Sequence, residues 1–123
     1  MLQQAKFPVK EVPAIGVDSE REIDSTGYKF IVREDTGKVL SCMTNNYKLV
    51  RNETIIKTAN PLIKKMGGKL SNVDVLRDGA KTMMKWTFPD NKVKMSKHDE
   101  MIPEINIVNS YDGTVGLNIL GGA

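Results

Sequence analysis

The chain has 123 residues, 40% hydrophobic and 27% charged, ordinary values for one folded domain with no room for a second core. Eighteen basic against fifteen acidic residues give a net charge of +3, too little to name a partner by itself. The longest uncharged run, residues 113–123, contains four glycines and cannot span a bilayer, and the single cysteine, Cys42, excludes a disulfide framework.

Residues 1–26 read as an irregular arm. Met1 to Lys6 shows no basic stretch followed by an apolar core, so no secretory leader is expected. Pro8 and Pro13 interrupt regular elements, and Phe7, Val9, Val12, Ile15 and Val17 lack helical spacing. Such an arm either packs across its own domain or reaches a neighbour. From Gly27 the pattern becomes regular. Tyr28, Phe30 and Val32 alternate with Lys29 and Arg33, Glu34-Asp35-Thr36-Gly37 is a turn, and Lys38 to Met43 returns, which predicts a hairpin.

Asn52-Glu53 looks like a helix cap with an acidic first turn. Ile55, Ile56, Ala59, Leu62, Ile63 and Met66 then recur at spacings of three and four, one apolar stripe. Pro61 predicts a kink or two short helices, and Gly67-Gly68 ends the element. Val73 to Arg77, Asp78-Gly79 and Ala80 to Phe88 predict a second hairpin with Met84, Trp86 and Phe88 turned to the core. Lys92 to Met95 reads as the next strand of the same meander. Glu104 to Ser110 and Val115 to Leu120 predict a last pair. The sum is an α+β domain over residues 27–123: one antiparallel sheet of six to seven strands with a helix, kinked at Pro61, on one face. The apolar last strand ending at Gly121-Gly122-Ala123 reads as a domain cut short or completed by a partner.

Charge is unevenly placed. Nine basic and three acidic residues between Lys64 and Lys97 make that stretch +6 and leave −3 for the remainder. In the predicted meander Lys81, Lys85, Lys92 and Lys94 share one face and Arg77 extends the row, a spacing that can track a phosphate backbone. Exposed rings would help by stacking on bases, and only Tyr47 and Tyr111 fall at positions expected to be exposed. Other chemistry is sparse. His98, Asp99, Glu100 and Glu104 are the only compact metal-capable group, without ligand spacing of a recognised type, so no metal is expected. Cys42 reads as a small buried residue rather than a nucleophile, Asp74 and Asp78 as surface ion-pair partners, and Gly67-Gly68 follows a helix where a phosphate loop would precede one. No catalytic residue and no cofactor is assigned.

Two segments carry a resemblance. The run from Met43 to Glu53, containing Tyr47-Lys48-Leu49-Val50-Arg51-Asn52, resembles the Y-x-V-x-N region of the phage/plasmid-like protein family, catalogued as a domain of unknown function (nine-three-two). Asn109-Ser110-Tyr111-Asp112-Gly113-Thr114 is similar to its N-S-[HY]-D-G-[ST] signature. The signature positions here are Tyr47, Asn52, Asn109, Ser110, Tyr111, Asp112 and Gly113. Members usually continue into an Arg-x-x-Cys-x-Asn segment and a helical half, which this sequence lacks. The resemblance covers Tyr28 to Ala123 and implies a mobile-element origin and a cytoplasmic role in a bacterial host, with no established reaction. The expectation that follows is an accessory protein binding nucleic acid, single-stranded DNA favoured, with strand annealing or replication as its setting, as a homo-oligomer without membrane contact. The competing expectation is a non-enzymatic assembly protein of a virion or complex, oligomerising through its arm and terminal strand.

Overall fold

Strand pairing begins well before Gly27. In the computed structural model, which describes residues 2–18, 21–91, 93–94, 100–113 and 118–122, a 3-10 turn over Leu2–Ala5 leads into β1 (Val9–Asp18). β1 pairs antiparallel with β2 (Arg21–Arg33), and β2 with β3 (Val39–Thr44). The expected irregular arm is therefore corrected to two strands. Proline is tolerated because β1 is an edge strand, with a register shift between Pro13 and Ile15 where a residue lacking an N–H does least harm. Ala5, Phe7, Val9 and Ala14 are buried, so this segment packs on its own domain.

The helix α1 (Asn52–Lys65) follows, then β4 (Lys69–Leu76), β5 (Lys81–Thr87), β6 (Val93–Lys94), β7 (Glu100–Met101), β8 (Glu104–Ser110) and β9 (Asn118–Gly122). The α+β class holds, but the single sheet of six to seven strands does not. There are two antiparallel sheets, β1-β2-β3 and β4-β5-β8-β9, and a separate ribbon β6-β7. The predicted return strand is the reason for the difference: β6 pairs with β7, while β8 takes the free side of β5, with Met84 opposite Ile107 and Trp86 opposite Ile105. Among the described residues no helix is long and apolar enough to cross a membrane.

α1 lies on one face of the four-stranded sheet. Ile55, Ile56 and Ile63 pack on Val73, Met84, Trp86, Phe88 and Ile107. Strict alternation along β5 sends Thr82, Met84 and Trp86 inward, and Trp86 is completely buried. Its burial is worth roughly 4–6 kcal/mol of transfer free energy. Trp86 Nε1 donates to Asn60 Oδ1 at 3.1 Å, which fixes the helix along the sheet. The helix runs through Pro61 as one element, not two. Pro61 and Lys57 are both exposed, so water can serve the Lys57 carbonyl that Pro61 cannot. At the other end Gly67 takes φ +95°, and Gly68 N donates to Ile63 O and Gly67 N to Lys64 O, a Schellman closure.

A second cluster joins the sheets: Phe7, Val9, Ile31 and Tyr111, with Met43, Tyr47 and Leu49 against them. On β2 the sealed residue is Ile31, on the face shared with Lys29 and Arg33; the opposite face carries Tyr28, which is half exposed. The two cations manage their position by pairing. Lys29 meets Glu11 and donates to Tyr47 O, and the Arg33 guanidinium lies 4.1 Å from the centre of the Phe7 ring.

Candidate functional site

The signature positions converge where the hairpin sheet, the start of α1 and the end of β8 meet. Asn52, expected to cap the helix, instead forms its first turn after Arg51, and its side chain is buried. The cap comes from 59 residues away: Asn52 N donates to the Tyr111 hydroxyl at 2.6 Å. Asn52 Nδ2 donates to Thr82 Oγ1 at 3.0 Å, and Asn52 Oδ1 accepts from Asn109 Nδ2 at 2.9 Å. Asn109 Nδ2 also donates to Val50 O at 2.8 Å, so both its hydrogens are used. The Tyr47 hydroxyl donates to Ser110 O, the Ser41 hydroxyl donates to Tyr111 O, and Tyr111 N donates to Ala80 O.

Tyr111 stands at the centre. It is 1% exposed rather than at the surface, and its ring meets Phe7 edge-on at 6.0 Å. Burial pushes its hydroxyl up to about 12, and burial likewise raises Tyr47, which is only half-exposed. A phenol held this far from ionisation accepts and donates hydrogen bonds but supplies no base near neutrality. Gly113 takes φ +74°, and a Cβ there would meet Met43 Cε at 2.9 Å. Among the described residues no buried side-chain nitrogen or oxygen lacks a partner. The arrangement is a structural lock.

The lysine row is not gathered as expected. Lys81 and Lys85 do share the face of β5 away from α1, half-buried beside Met83. Lys94 belongs to the β6-β7 ribbon, a different sheet, and Lys92 lies outside the described residues. Lys85 Nζ is 3.7 Å from Glu104 Oε2, in a depression of about 250 Å³ that Asp74, Asn72 and Asn106 also line. Arg77 Nη1 donates to Asp112 Oδ2 at 3.0 Å. Cys42, expected to be buried, is exposed, because the hairpin sheet leaves that face of β3 uncovered. Of the candidate metal group, His98 and Asp99 lie outside the described residues, and Glu104 is taken by Lys85 and Asn106. Asp35 is exposed and paired with Arg33, whose hydrogen bond holds its carboxyl below the ordinary value.

These residues bear directly on ancestry. A family model described as "Domain of unknown function (DUF932)" matches residues 39–123, from β3 through the last strand. The chain belongs to the DUF932 family. No curated protein and no solved structure matches it. All seven signature positions fall inside the DUF932 match, and six of them, Tyr47, Asn52, Asn109, Ser110, Tyr111 and Gly113, are placed by the packing just described.

A different cationic surface of this DUF932 chain escapes sequence reasoning that follows strands alone. Lys48, Arg51, Lys57, Lys64, Lys65 and Lys69 are all exposed, with Glu53 the only carboxylate between Lys48 and Lys69. Among the described residues none of the six is in an ion pair. The helical spacing carries the signal: Lys57 and Lys64, seven apart, lie on one line of the helix.

Proposed function

We propose that this DUF932 chain is a phage or plasmid accessory protein that binds nucleic acid, single-stranded DNA in preference, without catalysing a reaction on it. The observation that carries this reading is the segment from Lys48 to Lys69, with one carboxylate against six exposed cations that, among the described residues, make no ion pair. Unpaired surface ammonium groups are free to replace the counterions condensed on a polyanion, whereas Arg77 and Lys85 must first leave Asp112 and Glu104. Among the described residues Tyr28 is the one exposed aromatic ring, so stacking is a minor contribution and phosphate contact the major one.

Fluorescence anisotropy with a labelled oligothymidylate of about 20 nucleotides, at about 50 and 200 mM salt, tests this. Binding should weaken steeply with salt. Lys57→Glu with Lys64→Glu and Lys69→Glu should lower the salt slope by about 0.7 for each phosphate no longer neutralised. Absence of binding at low salt, or binding indifferent to salt, removes the proposal. A loss caused only by Lys81→Glu with Lys85→Glu would return the ligand to the sheet.

A second reading, an assembly protein, is favoured by one observation. Among the described residues β9 pairs only with β8, and Ile119 and Leu120 on it are 67% and 55% exposed. The arm no longer supports this reading, since it is built into the domain. Light scattering that gives a 13.7 kDa species at micromolar concentration sets it aside.

A further inference from the structure

The apolar stripe of α1 is wider than the sheet beneath it can cover. Leu62 and Met66 are 60% and 58% exposed, and Ile119 of β9 is 67% exposed. Between α1 and β8-β9 lies a cavity of about 260 Å³ whose walls include Ile55, Thr58, Ala59, Ile107 and Ile119. Leu62 is seven residues beyond Ile55 and Met66 seven beyond Ala59, so the exposed pair continues the same wall along the helix. The cavity is one end of an open apolar groove.

Dimensions say what fits there. α1 is centred near β5, whose Met84 and Trp86 are fully buried beneath it. β9 lies two strands away, roughly 10 Å at ~4.8 Å per strand, and a helix is about 10 Å across. A second helix seated over β9 would therefore have its axis about 10 Å from that of α1, an ordinary spacing for packed helices. Pairing of β9 with β9 of a second copy would not place a helix there. It would set the two α1 axes about 24 Å apart and leave Ile119 uncovered between them.

Charge narrows the occupant. Arg51, Thr58 and Lys65 are spaced by seven and form the outer row beside the groove, basic at both ends. Glu53, the only carboxylate of α1, is four residues before Lys57 on the opposite flank.

We propose that this groove docks an amphipathic helix of a partner protein, with its apolar stripe on Leu62, Met66 and Ile119 and acidic side chains toward Arg51 and Lys65. Arg51 and Lys65 belong also to the cationic segment proposed for nucleic acid, but Lys57, Lys64 and Lys69, whose replacement tests that reading, do not line the groove, so the two kinds of binding are distinguishable. The test uses the full chain and three labelled 18-residue peptides read by anisotropy. One carries leucines at i, i+3/i+4 and i+7 with glutamates elsewhere, one has lysines for the glutamates, and one has the leucines scrambled off the stripe.

The acidic amphipathic peptide should bind, and the lysine and scrambled peptides should bind about tenfold more weakly or not at all. Ile119→Asp and Leu62→Asp, at exposed positions where circular dichroism should show an unchanged fold, should each weaken binding about tenfold or more. Lys57→Glu with Lys64→Glu should leave it unchanged. No binding, equal binding of the acidic and lysine peptides, or indifference to Ile119→Asp and Leu62→Asp would overturn the proposal. So would self-association of the chain abolished by Ile119→Asp, which would put a second copy in the groove.

Discussion

Replacing Tyr111 by phenylalanine removes one oxygen and leaves the ring that packs against Phe7. That oxygen accepts the Asn52 N–H at 2.6 Å, and Asn52 is 1% exposed, so no water can take its place without the junction opening. The net loss of an ordinary hydrogen bond is about 1 kcal/mol, but a buried donor left unpaired costs about 1–3 kcal/mol, and this donor belongs to the first turn of α1. The expected destabilisation is about 2 kcal/mol, or on the order of 5–10 °C in Tm for a domain of this size. Urea unfolding followed by the emission of Trp86, the single tryptophan, gives the value directly. Thr82→Val reaches Asn52 from its other side, through Asn52 Nδ2, so the double variant should depart from additivity by at least about 0.5 kcal/mol. Salt-dependent DNA binding of the folded Tyr111→Phe protein should be unchanged. A destabilisation under about 0.5 kcal/mol, or strict additivity with Thr82→Val, would refute the claim that this hydroxyl holds the helix to the sheets.

The same hydroxyl predicts an alkaline limb of the stability curve. Its folded value is raised to about 12 against about 10 in an unfolded chain, so the unfolded state releases its proton first. The contribution is complete below pH 10 and is lost as pH rises from 10 to 12, at about 1.4 kcal/mol per pH unit; the difference between wild type and Tyr111→Phe across that window, by urea unfolding, isolates it from the lysines. At the end of α1, Gly68→Ala would drive a Cβ into Ile63 Cγ2 and bring it to 3.0 Å from Ile63 O, an overpacking that should cost about 1–3 kcal/mol. Gly67→Ala meets nothing within 4 Å and should cost only the ~1 kcal/mol of a left-handed residue at φ +95°. Thermal melts that rank the two alanines the other way would contradict this reading of the closure.

Local signals in the sequence are reliable here and pairing signals are not. The hairpin at Gly37, the turn at Asp78-Gly79, the inward Met84, Trp86 and Phe88 and the stop at Gly67-Gly68 all follow from short-range chemistry and are present. Pro8 and Pro13 read as breakers because proline is excluded from central strands, yet Pro8 lies just before β1 and Pro13 sits at the register shift of this edge strand, where the exclusion lapses. Lys92 and Lys94 read as part of the meander because consecutive strands usually neighbour each other, but β8 occupies that place. Asn52 illustrates the limit most plainly. A cap-forming residue before an apolar stripe is a sound local inference, but its side chain is spent on Thr82 and Asn109, and the cap arrives from Tyr111.

The DUF932 signature looks chemical and behaves architecturally. A reactive site needs a polar group that faces a cleft and is free to engage a ligand, whereas the Asn52 amide bonds Thr82 and Asn109, Asn109 Nδ2 also donates to Val50 O, and the Tyr111 hydroxyl accepts from Asn52 N. Such a network specifies a single geometry, because removing any one partner leaves another buried group unpaired. The family match over residues 39–123 covers every residue of this network. It follows that substitutions within the signature should act through stability, lowering every property together only as far as they unfold the chain. Substitutions of Lys57, Lys64 or Ile119 should remove one property and spare the fold. Function in this chain is to be sought on the two flanks of α1, where charge and apolar surface are both left over after folding is complete.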